Sequence, residues 1–325
     1  MSTMTEAFHR ASPAPDHETA SAPLIRRPLE LSGRAVLLAT DGSPSAVAAA
    51  HVACALAAQH HAIVHVVSVI DTRSAPLPPP LDVALAMGDA TAGTEVQREQ
   101  ERAVRAELSG ALGGPVDWPV RVMVSTPSAA IVQEADHLGA ALIVMGLRRH
   151  GRLDRAVRDD TAINVMRVAG CPVLGVVAEW NGLPRRVLAA VDFSDGSLAA
   201  LRAGHAILGD GAVVVLAYVS PSSGFLVDEG EARIHDLGVQ AGFDKLTREL
   251  DDDGVAFDHL VLHAAPRQTP AQALLEYADE IGSDLITAGS VQHSQLDRWM
   301  VGSVSAELVR NGRRSVLIVP PRRRA

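Results

Sequence analysis

The chain has 325 residues, which at about 100–200 residues per domain points to two domains, and its formal net charge of −9 disfavours non-specific attraction to nucleic acid or anionic membrane. Of the 29 basic residues only Lys245 is a lysine, and it sits in Phe243-Asp244-Lys245-Leu246, so a Walker A phosphate loop is excluded and Schiff-base chemistry would have a single helical lysine to use. Apolar residues make up 47% of the chain but aromatics only 3%, so its cores must be aliphatic.

Residues 1–32 are rich in Ala, Pro, Ser and Thr without apolar periodicity, and read as a disordered tail. From residue 33 the texture changes. A short apolar run at 35–39 meets turn chemistry at Asp41-Gly42-Ser43-Pro44, and an alanine-rich helix is expected over 45–59. A β-branched run at 63–70 has the composition of a strand buried on both faces. A Pro-rich loop at 74–93, a helix near 94–111 and a weaker strand near 120–124 follow. Thr126-Pro127 opens the next helix: the threonine hydroxyl is expected to accept an orphan N–H, and proline has none to lose. A strand at 142–145, a helix at 161–168 and a strand at 173–177 complete five strands and four helices in alternation, the pattern of a parallel doubly wound sheet.

After the polar Gly/Pro linker at 179–184 the pattern restarts. Strands near 186–191, 212–219, 257–263, 285–288 and 316–319 interleave with helices near 197–208, 234–250, 270–281 and 301–310. At a constant offset of about 143, the identities Thr126/Thr269, Pro127/Pro270, Ala130/Ala273, Ala135/Ala278, Asp136/Asp279, Gly139/Gly282, Leu142/Leu285, Ile143/Ile286 and Gly146/Gly289 mark an internal repeat. The domains expected are therefore residues 33–178 and 185–321. In such sheets ligands bind outside the carboxyl ends of the strands. That directs attention to Asp41-Gly42-Ser43 and Asp192-Phe193-Ser194 after the first strand of each repeat, and to the loops after Gly146 and Gly289.

Two tandem copies with these features resemble the universal stress protein family, over roughly residues 33–321. The resemblance implies two tandem doubly wound parallel five-stranded sheets, Rossmann-like and of the adenine nucleotide alpha-hydrolase-like kind. Its nucleotide-binding members carry Gly, two residues, Gly, nine residues, then Gly-Ser or Gly-Thr at the start of the last helix. The second repeat reads Gly289, Gln292 and Gly302-Ser303 at those positions; the first reads Gly146, Arg149 and Asp159-Asp160. The binding pattern is thus partial in the second repeat and lost at three positions in the first. A helix N-terminus holds phosphate with free N–H groups and partial positive charge, without lysine. Gly302 would let the backbone approach phosphates, Ser303 adds a hydroxyl, and Asp192 would accept hydrogen bonds from base or ribose. By the same carry-over, Ala190, Val191, Val219, Ala288, Gly289, Val291 and Val304 would line the adenine and ribose side. Gln292 either costs roughly 1–2 kcal/mol, if the loop needs a positive φ there, or donates its amide to a phosphate oxygen. In the first repeat, Asp159 and Asp160 place two negative charges where phosphates would sit, and acids at a helix start stabilise it by about 0.3–1 kcal/mol each without a ligand. Arg148, Arg149, Arg152, Arg155 and Arg158 have the composition of a phosphate clamp, but with Asp154, Asp159 and Asp160 interleaved they read as a salt-bridged surface loop.

The resemblance implies a cytoplasmic stress-response protein binding ATP or another adenine nucleotide in its second domain, with magnesium as the ion such a ligand brings. A nucleotide-free interaction scaffold is the alternative reading. A slow ATPase is disfavoured, because no general base faces the phosphates and no lysine or metal set neutralises charge in transfer. Pairing of the two domains through their last strands, 173–177 and 316–319, is expected, with a homodimer of whole chains as a further step. No nucleic-acid or membrane partner is expected, since Arg322-Arg323-Arg324 is too short a basic run, no apolar run reaches roughly 18 residues, and the N-terminus lacks a signal-peptide core. No catalytic or metal residue is assigned. His65 reads as structural, and Cys54 and Cys171 read as small buried hydrophobes.

Overall fold

The computed structural model describes residues 29–71, 90–147, 161–180, 182–220, 229–250, 257–290 and 302–321. The first half runs β1 (Ala35–Thr40), α1 (Pro44–His60), β2 (Ile63–Asp71), α2 (Ala90–Leu112), β3 (Val120–Ser125), α3 (Pro127–Leu138), β4 (Leu142–Gly146), α4 (Thr161–Val168) and β5 (Val173–Val176). The second half runs β6 (Arg186–Ala190), α5 (Asp195–His205), β7 (Val213–Ser220), α6 (Glu229–Leu250), β8 (Phe257–His263), α7 (Pro270–Glu280), β9 (Leu285–Gly289), α8 (Ser303–Asn311) and β10 (Ser315–Val319). The tail expected at residues 1–32 falls outside the described residues up to residue 28. Leu31, by contrast, is 2% exposed and packs into the core.

The strands form one sheet in the order β3-β2-β1-β4-β5-β10-β9-β6-β7-β8. Each half is a parallel five-stranded sheet, and the halves join where β5 pairs antiparallel with β10, Leu174 opposite Leu317. The last strands are therefore spent on intramolecular pairing, which removes two edges that would otherwise invite other chains. Ser315, fully buried at this seam, accepts the Val177 N–H through its hydroxyl at 3.2 Å.

Strand residues alternate between two apolar layers that run through both halves. Val36 and Leu38 pack with α1, α2, α5 and α6 on one face, whereas Leu37 and Ala39 pack with α3, α4, α7 and α8 on the other. Burial on both faces explains the unbroken aliphatic runs. With few aromatic side chains available, the helices approach the sheet closely through small residues: α1 buries Ala46, Ala48, Ala49, Ala50 and Ala53.

Local signals set the helix starts. Ser43 caps α1, its hydroxyl accepting the Ala46 N–H at 3.3 Å, and Thr269 forms a full capping box with Gln272 at the start of α7. Thr126 departs from expectation: it holds the N-cap position of α3, but its hydroxyl makes no cap hydrogen bond. The two cysteines also depart from the buried reading. Cys54 is exposed on the outer face of α1, and Cys171 is half-buried, its thiol pushed up to about 12 by burial and the nearby Asp136 charge. Among the described residues no helix is long and apolar enough to cross a membrane.

Candidate functional site

Strand order reverses between β1 and β4 in the first half and between β6 and β9 in the second, so each half opens a crevice at those carboxyl ends. In the second half the crevice begins at Asp192, two residues past β6. The Asp192 carboxylate accepts the Ser194 N–H at 3.0 Å and the Ser194 hydroxyl, while that hydroxyl also accepts the Ser197 N–H at 3.2 Å and caps α5. Partial burial works against the charged form of Asp192, but hydrogen bonding from Ser194, Ser197 and its own backbone outweighs it and holds the carboxyl below the usual range. Asp192 thus stays an anion in a fixed orientation.

Gly289 ends β9 directly against the first turn of α5. A Cβ there would lie 2.5 Å from the Gly196 carbonyl carbon and 2.9 Å from the Ser197 nitrogen. Gly146 stands in the same relation to α1, with a Cβ 2.6 Å from the Ser45 carbonyl carbon and 2.7 Å from the Ala46 nitrogen. Both glycines are therefore required by the close approach of strand and helix, whichever half binds a ligand.

Past Gly289, the Ser290 N–H bonds the Val319 carbonyl at 2.9 Å, as Leu147 N–H bonds Val176 in the first half at 2.7 Å. The side chains differ. Leu147 folds back over Gly175 in the core, whereas the second half places a buried serine there. On the far side of the crevice, Gly302 is the N-cap of α8 and provides no side-chain cap, while the Ser305 hydroxyl ties the helix to the Gly289 carbonyl at 3.1 Å.

Of the residues carried over to the adenine and ribose side, Ala190, Val219, Ala288 and Val304 share one apolar layer at this end of the sheet. Val191 belongs to the opposite layer, where it packs with Leu198 and Phe193. Gly289, Gly302 and Ser303 flank the crevice as described. Val291 and Gln292 lie outside the described residues, as do Arg148, Arg149, Arg152, Asp154, Arg155, Arg158, Asp159 and Asp160 of the first half.

The structure also reveals an exchange between the halves that no spacing rule shows. Gly42 and Phe193 follow the two equivalent aspartates, and both take a positive φ, 74° and 63°. In the second half the Phe193 ring stacks on Tyr218 and meets Phe243 edge-on, each at 5.1 Å, and lies so close to Gly242 that a Cβ there would be 2.6 Å from the ring. Gly42 has no ring to offer, and the Glu107 carboxylate fills the space instead, 3.0 Å from where a Gly42 Cβ would be. Burial and the Asp41 charge raise the Glu107 carboxyl above its ordinary value. Among the described residues, two acids thus sit together after β1, and one acid and an aromatic cluster after β6. Tyr218, in turn, is raised by burial and by the Asp192 charge.

Among the described residues, no group of three His, Cys, Asp or Glu side chains is placed to hold a metal ion. Ser220 and His235 lie 3.3 Å apart, a serine–histidine contact on the neighbouring β7 and α6.

The model of the universal stress protein family matches residues 33–176 and again 184–320. A universal stress protein from Archaeoglobus fulgidus is similar in structure, with 19% identity, a TM-score of 0.62, and coverage of 90% of this chain and 98% of that one. A functionally unknown protein from Pseudomonas aeruginosa aligns at 18% identity and a TM-score of 0.57, covering 90% of this chain and 94% of that one. A sequence search of the curated proteins returns no relative. Two matched copies, the strand order of each half and the agreement in fold over nine-tenths of the chain lead to one conclusion: the chain belongs to the universal stress protein family, and it carries two of the family's domains in tandem.

Proposed function

We propose that the chain is a stress-response protein that binds ATP or another adenine nucleotide in its second half, between the carboxyl ends of β6 and β9 and the start of α8. The observation that carries this reading is the bare N-terminus of α8. The starts of α1, α5 and α7 are closed by Ser43, Ser194 and Thr269, and α3 has a threonine at its N-cap that makes no cap bond, whereas α8 begins at a glycine with no side chain to cap it. Its orphan N–H groups and the positive end of its dipole suit a phosphate, and Gly302 lets the backbone approach one. Asp192, held ionised and oriented, suits a ribose hydroxyl or an exocyclic amine as donor. Magnesium would arrive with the phosphates, since no three-ligand set among the described residues waits for it.

Calorimetric titration with ATP and with AMP tests the reading, and absence of heat at high micromolar nucleotide overturns it. Gly302→Asp is the informative variant. Aspartate is a favoured N-cap, so the variant keeps or gains stability while its charge repels phosphate and abolishes binding.

A nucleotide-free interaction scaffold is the second reading. It is favoured by the packing role of Gly146 and Gly289, whose presence is explained without any ligand. Adenine nucleotide that co-purifies with the full chain would refute it.

A further inference from the structure

Helix α6 is amphipathic towards the core in the ordinary way, burying Val239, Phe243, Leu246 and Leu250. Its outer face is not ordinary. Ile234 is 73% exposed and Leu237 64%, the two most exposed large apolar side chains among the described residues. They lie one turn apart, and Gly238 and Ala241 continue the same exposed stripe. Gly238 is a mid-helix glycine whose missing Cβ would meet nothing within 4 Å, so nothing inside the chain requires it to be small. Bulky apolar residues therefore occupy one end of the stripe and small residues the other.

This polarity makes the stripe complementary to itself in one orientation. If two copies of α6 cross antiparallel about a two-fold axis between residues 237 and 238, Leu237 of each copy meets Gly238 of the other, and Ile234 meets Ala241. Arg233 then lies about 3 Å along the axis from the level of Asp244 of the other copy, within reach on the same flank. A parallel arrangement would instead set Ile234 on Ile234 and Arg233 on Arg233. The contact is available because β5 and β10 are already consumed in joining the halves. We propose that the outer face of α6 is a self-association surface, on which a second copy of this chain docks antiparallel through Ile234, Leu237, Gly238 and Ala241, with reciprocal Arg233–Asp244 pairs. One helix pair falls at the low end of the roughly 1,200–2,000 Å² that stable complexes bury, so the dimer is concentration-dependent rather than obligate.

Sedimentation velocity on the full chain, in reductant and over about 5–500 µM, is the test. The expected result is a monomer–dimer equilibrium that Leu237→Asp weakens by at least about tenfold, a substitution on an exposed side chain that leaves the core intact. Arg233→Asp and Asp244→Arg each weaken it, and the double variant restores it. A monomer at every concentration overturns the proposal, including the case in which the chain's own first 28 residues cover the stripe. It is equally overturned by a dimer that Leu237→Asp leaves unchanged, which would point to another face, or by a double variant no tighter than the single ones.

Discussion

The close approach of Gly146 and Gly289 to the helices that follow β1 and β6 makes a prediction that separates packing from ligand binding. Replacing either glycine by alanine puts a methyl group 2.5–2.7 Å from main-chain atoms of the facing helix, where ordinary contact begins near 3.4 Å. The atoms met are backbone atoms in the first helical turn, so no side-chain rotation relieves the overlap, and α1 or α5 must shift outward by several tenths of an ångström. Overpacking of this kind costs about 1–3 kcal/mol. At an urea dependence of about 3 kcal/mol per molar, that corresponds to a midpoint lowered by about 0.3–1 M for each variant. The decisive feature is symmetry: Gly146→Ala should cost as much as Gly289→Ala, although the first half lacks the rest of the nucleotide pattern. Equilibrium urea unfolding of the two variants, without nucleotide, measures it. If Gly146→Ala is neutral while Gly289→Ala is destabilising, the packing account fails and the glycines owe their presence to something in the second half alone.

Three further outcomes follow from the crevice geometry. Ser194→Ala removes both the α5 cap and the hydroxyl's hydrogen bond to the Asp192 side chain, leaving the backbone N–H bond in place; it should cost about 1 kcal/mol and let the Asp192 carboxyl rise part of the way towards its ordinary value of 3.8, read by carboxyl chemical shifts against pH. Because Asp192 is lowered in the folded chain, its contribution is present above the unfolded value and is lost as pH falls through the folded one, so the variant should lose part of the wild-type acid sensitivity. Glu107 has the opposite sign: its folded carboxyl lies above 4.5, so stability falls as pH rises from that value through the folded one, and Glu107→Gln should be more stable than the wild type at neutral pH. Phe193→Gly relieves a positive φ but removes a half-buried ring from its stack on Tyr218 and Phe243, and it should still destabilise by about 1–3 kcal/mol, whereas Gly42→Ala should cost only about 1 kcal/mol; thermal unfolding distinguishes the two.

The architecture was legible in the sequence because it rests on repeated, local signals. Aliphatic runs of four to eight residues, Asp-x-Ser turns and Thr-Pro helix starts recur at fixed offsets, and each has a mechanism that acts within a few residues. Thr126 shows the limit of such signals: the residue type and position are right, yet the hydroxyl makes no cap bond, because rotamer choice depends on neighbours that spacing does not specify. Cys54 shows another, since its face of α1 points outward only because the alanine face of that helix meets the sheet. The positions of Asp192, Gly289 and Gly302 in the candidate site were legible, because they stand next to strand ends and a helix start. Glu107, Tyr218, Phe243 and Gly242 were not, because they come from α2, β7 and α6 and reach the crevice only once the sheet has brought those elements together.

That exchange bears on how two halves of one chain come to differ. A phenyl ring at residue 193 is compatible only with a glycine at 242, and a glycine at residue 42 leaves a space that the Glu107 carboxylate enters. Enlarging Gly242 or Gly42 alone brings a clash and truncating Phe193 or Glu107 alone leaves a void, so in volume the pairs behave as units of divergence. In the first half the unit adds an acid beside Asp41. In the second half it adds an apolar wall beside a single ionised aspartate and leaves the start of α8 bare. A second acid beside the aspartate of one half and an aromatic cluster beside that of the other thus follow from side-chain volume at two turn positions.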